Sequence, residues 1–134
     1  MRVLGIDLGR SRTGLALSDP LGVTCSPLAV ICERDEGELI RRILAVVEEQ
    51  GVGDVVVGLP RPLAGGTNQQ SESVLAFKAR LERKTPVQVH TWDERFTSKL
   101  AEEGRPRTGR QDAVAACYML QSYLDSCRET MGDS

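Results

Sequence analysis

Aromatic residues are scarce in this chain of 134 residues: one Trp, two Tyr and two Phe make up 4% of it, so an aliphatic core is expected. Histidine is scarcer still. With His90 alone, no Ser or Cys has an evident base beside it, and an outward strand position is the expected role for this residue. The four cysteines, Cys25, Cys32, Cys117 and Cys127, form no C-x-x-C pair and have no histidine cluster nearby. Zinc-site spacing is therefore missing, and reduced, mostly structural thiols are expected. No stretch approaches the roughly 18 apolar residues of a membrane span, and the N-terminus runs straight into the polar stretch from Asp7 to Ser18 with no apolar signal region. A cytoplasmic protein is expected. An excess of either charge is lacking as well: a formal charge of −2 supplies no global basic field for coating nucleic acid by electrostatics alone.

What is present is the composition of a soluble globular protein, 40% hydrophobic and 27% charged, in a length that suits one α/β domain. We expect that domain to span residues 1–127, with residues 128–134 as a flexible tail. Arg2 to Asp7 reads as a buried strand in which Val3, Leu4 and Ile6 are apolar and polarity begins abruptly at Asp7. Two further strands, Thr13 to Ser18 and Thr24 to Cys32, follow across turn residues, so the chain opens with a meander. Leu39, Ile40, Ile43, Leu44 and Val47 then recur at helical spacing between Glu36 and Gln50, ahead of Gly51. Asp54 to Leu59 holds the run Val55, Val56, Val57, which suits a strand buried on both faces. Thr67 and Gln70 match a capping box for a second helix carrying Val74, Phe77 and Leu81. A fifth strand from Val87 alternates inward at Val89 and delivers Trp92, Asp93 and Glu94 at its carboxyl end. A short helix to Glu103 and a last helix from Gly109 to Cys127 complete the order βββαβαβαα. Two strand–helix–strand crossovers joined to a meander imply a mixed five-stranded sheet with helices on its faces.

Three acids stand at element ends: Asp7 closing the first strand, Glu94 beyond the fifth, and Asp112 near the start of the last helix. Singly, each has a plain structural reading. Asp7 suits an Asx turn before Gly9, and Asp112 favours a helix start electrostatically. Together they offer the hard oxygen ligands that Mg²⁺ and Mn²⁺ prefer, and a pair of such ions hydrolyses phosphodiesters without any protein nucleophile. Arg105, Arg107 and Arg110 precede Asp112, while Arg10, Arg12 and Arg95 lie near the other acids. A local basic face of this kind offsets phosphate charge; exposed solubilising arginines are the alternative.

Four segments carry a family resemblance: GIDLGRSRTGLALSD from Gly5, VVVGLP from Val55, WDERFTS from Trp92 and DAVAACYMLQSYLD from Asp112. Their order and spacing resemble the YqgF/RuvX family over nearly the whole chain. The resemblance implies an RNase H-like, RuvC-related fold and a nuclease that either matures the 5′ end of pre-16S ribosomal RNA or resolves Holliday junctions. It implies Asp7, Glu94 and Asp112 as catalytic and metal-binding acids, two Mg²⁺ or Mn²⁺ ions as cofactors, and Arg12, Arg95 and Arg110 as contacts to substrate phosphates. Nucleic acid is the expected partner, with the ribosome as a further one, and a monomer or weak homodimer the expected state. Ser11, Ala64 and a short segment before Asp112 depart from the family's pattern. The first segment is also similar to the phosphate-binding hairpin of actin-like sugar kinases and Hsp70-type ATPases, which clasp nucleotide between two such domains, and a non-catalytic RNA-binding or ribosome-associated factor is the other alternative.

Overall fold

The computed structural model describes residues 1–60, 68–94 and 109–132. The elements are β1 (Arg2–Asp7), β2 (Thr13–Ser18), β3 (Cys25–Ile31), α1 (Glu36–Glu49), β4 (Val52–Leu59), α2 (Gln69–Glu82), β5 (Gln88–Asp93) and α3 (Gly109–Gly132). The short helix expected before Glu103, and the residues Thr67, Ala64 and Arg95, lie outside the described residues. The last helix reaches Gly132 instead of stopping at Cys127.

The five strands form one sheet in the order β3-β2-β1-β4-β5. β1 to β3 are the expected antiparallel meander, and β4 and β5 add to β1 in parallel. Side-chain alternation then splits the core in two. Leu4, Ile6, Leu15, Val55 and Val57 point to the face covered by α1 and α2, where Leu39, Ile43, Phe77 and Leu81 meet them. Val3, Ala16 and Val56 point to the opposite face, where Ala116, Met119, Leu120 and Leu124 of α3 close over them. Val55, Val56 and Val57 of β4 are accordingly all fully buried, on both faces of the sheet.

Local chemistry sets the helix ends. Asp35 caps α1, its carboxylate accepting the backbone N–H of Glu38 at 2.9 Å. α2 starts one residue later than the Thr67–Gln70 pattern suggests. Asn68 is the cap, accepting from the Ser71 N–H at 2.9 Å, and Ser71 completes the reciprocal box. The Ser71 hydroxyl also donates to the Pro60 carbonyl at 2.6 Å. This bond ties the helix start to the end of β4, which favours Ser71 over Gln70 as the return partner.

His90 faces away from the aliphatic core, as alternation along β5 requires, yet it does not stand free in solvent. α3 covers that face, so the ring lies near Tyr123 with centroids 6.0 Å apart, and Nε2 sits 3.2 Å from an Asp54 carboxylate oxygen. Trp92 packs edge-on against the same Tyr123 and donates to the Ser122 hydroxyl at 3.1 Å.

Candidate active site

The three acids approach the sheet from different elements but on one face. Asp7 ends β1 in register with Gly14 of β2. Gly5, two residues before it, contacts Leu120 of α3, so alternation turns Asp7 toward the α3 side as well. Asp112 stands in the first turn of α3, where its negative charge meets the positive end of the helix dipole. Glu94 immediately follows β5 and folds its side chain back across Gly58 of β4.

Two glycines make this possible, each by lacking a side chain at a point of close approach. A Cβ at Gly14 would fall 2.0 Å from the Asp112 carbonyl oxygen, so only glycine lets the start of α3 rest on β2. A Cβ at Gly58 would fall 2.8 Å from Oε1 of Glu94, in the space the carboxylate occupies. Neither role was evident in the sequence, where Gly14 and Gly58 read simply as strand residues. The signal available was a glycine interrupting an otherwise apolar strand, which marks a close approach of something else.

Asp7 and Asp112 open onto one cavity of about 170 Å³, whose wall is the β1–β2 turn with Gly9, Arg10, Ser11 and Arg12. Asp112 is only 6% exposed, and the Nε of Arg12 lies 3.3 Å from its Oδ2. A buried carboxylate needs a compensating charge, and Arg12 supplies one at the mouth of the cavity. Arg12, singled out for phosphate contact, is thus an ion-pair partner of a candidate metal ligand. Arg110 lies in the first turn of α3, with its side chain outside the described atoms.

The geometry unites Asp7 and Asp112 and brings Glu94 to the same face over β4. Among the described residues, no three His, Cys, Asp or Glu side chains are gathered closely enough to hold a metal ion. A larger cavity of about 640 Å³ adjoins the first, sharing Leu8, Gly9 and Arg10 and running to Arg34 and the start of α2 at Asn68. Sequence patterns carried no sign of it, because its walls come from the β1–β2 turn, the β3–α1 connection and α2.

Solved structures share this architecture. The chain superposes on Thermus thermophilus RuvC in complex with a Holliday junction substrate with a TM-score of 0.67 at 17% identity, covering 97% of this chain and 96% of RuvC. Fowlpox virus resolvase bound to Holliday junction DNA gives a TM-score of 0.58 at 12% identity, covering 95% and 99%. At such identities the likeness concerns the fold. In sequence, the chain is 41% identical to a candidate pre-16S rRNA nuclease of Acetivibrio thermocellus, over 94% of this chain and 96% of that protein. A candidate pre-16S rRNA nuclease of Moorella thermoacetica is 40% identical over 93% and 95%. The model of the RuvX family, described as Holliday junction resolvase, matches residues 1–126. With the family model and these relatives agreeing over nearly its full length, the chain belongs to the RuvX family.

Proposed function

We propose that this chain is a metal-dependent endonuclease that hydrolyses phosphodiester bonds in structured nucleic acid, with 5′-end processing of pre-16S ribosomal RNA in ribosome biogenesis as its task. The observation that carries this reading is the shared cavity of Asp7 and Asp112 beneath the arginine-bearing β1–β2 turn. Two carboxylates lining one cavity favour a cation there, and their hard oxygens suit Mg²⁺ or Mn²⁺. Asp7, Asp112 and Glu94 would hold the ions. When bound, such a pair lowers the pKa of a water and offsets charge on the leaving oxygen.

The chain's own residues do the rest. Arg12 balances Asp112 at the cavity mouth and is placed to meet an arriving phosphate, with the exposed Arg10 beside it. Arginine suits this work because its planar fork matches phosphate oxygens and keeps its charge at any working pH. Gly14 and Gly58 hold the start of α3 and the Glu94 carboxylate against the sheet.

The test is cleavage of a ribosomal RNA precursor fragment and of a four-way DNA junction, with Mn²⁺ or with EDTA, by the wild type and by Asp7→Asn. The variant removes a ligand charge with little change in volume. Metal-dependent cutting of the RNA, lowered at least about a hundredfold in Asp7→Asn, is the expected result. Cutting confined to the junction transfers the activity to branched DNA, the substrate named in the family's description. A fully active Asp7→Asn protein removes the proposed site.

A further inference from the structure

Two of the four thiols come together in the fold. Cys25 opens β3 and Cys117 lies in α3, and their Sγ atoms are 3.3 Å apart. Cys25 also contacts the Cys117 backbone carbonyl, with its sulfur 3.2 Å from that oxygen. Both residues are half-buried at the edge of the α3-side core, whereas Cys32 and Cys127 are exposed and form no such pair. We propose that Cys25 and Cys117 form a site of reversible oxidation, at which peroxide converts the two thiols into an intramolecular disulfide joining β3 to α3.

The environment divides the labour between the two sulfurs. Cys25 keeps its proton: its hydrogen bond with Cys117, burial and the nearby negative charges of Asp125 and Asp19 push its pKa up. The contact with Cys25 lowers the pKa of the Cys117 thiol from its ordinary value, although burial opposes the shift. A further polar neighbour is Gln121, whose Oε1 lies 3.6 Å from Cys25 and whose Nε2 donates to the Val23 carbonyl at 2.9 Å. Because the Cys25 thiol is directed at the Cys117 backbone carbonyl, 3.2 Å away, its proton is held there, and we assign Cys117 as the nucleophile.

Its thiolate attacks one oxygen of hydrogen peroxide, forming a sulfenic acid and releasing hydroxide. The Cys25 sulfur then attacks the sulfenic sulfur, forming the S–S bond. The departing hydroxide and the Cys25 proton leave as water. Overall, two thiols and one peroxide give one disulfide and two waters. From 3.3 Å, the sulfurs need to close by about 1.3 Å to reach bonding distance. The link would fasten an edge strand to the helix that carries Asp112, closing a long loop of chain, and is expected to raise Tm by roughly 5–10 °C.

The test exposes the native full-length protein to an equimolar amount of hydrogen peroxide, blocks free thiols by alkylation, and maps the digest by mass spectrometry with and without prior reduction. A crosslinked peptide pair containing Cys25 and Cys117, lighter by two hydrogens and absent after reduction, is the expected result. In Cys25→Ser, the same exposure should leave Cys117 as a sulfenic acid that a dione reagent traps. Alkylation of both Cys25 and Cys117 in the wild type, or bridges only between chains through Cys32 or Cys127, overturns the proposal. The wild-type map decides it even if Cys25→Ser folds poorly.

Discussion

Gly14 and Asp112 meet backbone to backbone, with no room for a single carbon between them: a Cβ at position 14 would lie 2.0 Å from the Asp112 carbonyl oxygen and 2.4 Å from its carbonyl carbon. The contact joins the second strand to the last helix, and it fixes how closely the Asp112 carboxylate can approach Asp7.

Gly14→Ala is therefore expected to lift the start of α3 from the sheet, since a backbone carbonyl cannot swing aside as a side chain would. We expect a destabilisation of about 2–3 kcal/mol and loss of metal-dependent cleavage together. Thermal unfolding and a cleavage assay on the same preparation would check this. Unchanged Tm with unchanged activity would mean that the two backbones are not in contact.

Gly58→Ala should behave differently. The clash is with Oε1 and Cγ of Glu94, at 2.8 and 3.3 Å, atoms near the free end of a flexible side chain. The fold should survive within about 1 kcal/mol, while the displaced carboxylate lowers cleavage roughly tenfold to a hundredfold. Full activity in this variant would show that the position of Glu94 over β4 is not used in the reaction.

Thr13, next to Gly14 in β2, is fully buried, and its hydroxyl oxygen has no hydrogen-bond partner among the described residues. Burying a hydroxyl without a partner costs about 1–3 kcal/mol. Thr13→Val keeps the shape and removes that cost, so a gain of about 1 kcal/mol is expected, visible as a higher Tm or a higher denaturant midpoint. A loss of stability would reveal a partner for the hydroxyl.

Glu38 gives a prediction in pH. Its hydrogen bond from the Arg41 guanidinium holds the carboxyl at about 2, against an ordinary 4.5. Because the folded state favours the charged form, the stabilisation is complete above the ordinary value. It fades as pH falls from 4.5 toward 2. Glu38→Gln should thus lower Tm at pH 6 and lower it much less at pH 2, a contrast that a pair of calorimetric scans would reveal. An equal difference at both values would assign the effect to packing and not to charge.

The elements themselves were legible in the sequence because local rules govern them. The spacing of Leu39, Ile40, Ile43 and Val47 reappears as the buried stripe of α1, and Val55, Val56 and Val57 as a strand covered on both faces. The cap of α2 was misplaced by one residue. Asn68 and Ser71 prevailed over Thr67 and Gln70 through a tertiary bond to Pro60 that no local pattern contains.

Asp7, Glu94 and Asp112 were also legible as acids at element ends, since polarity following an apolar strand is a local signal. Whether they share a face was not. That depends on β1 lying beside β4 in the order β3-β2-β1-β4-β5 and on α3 crossing to β2, relations between residues roughly fifty to a hundred positions apart. Separation along the chain likewise hid the contact of Cys25 with Cys117 and the shelter that α3 gives His90. Periodicity, capping and turn chemistry act over a few residues, so this sequence by itself determined the strands and helices of its described residues and the position of its acids at element ends. Side-chain contact depends on how layers stack, so only the tertiary structure decided which of these residues meet.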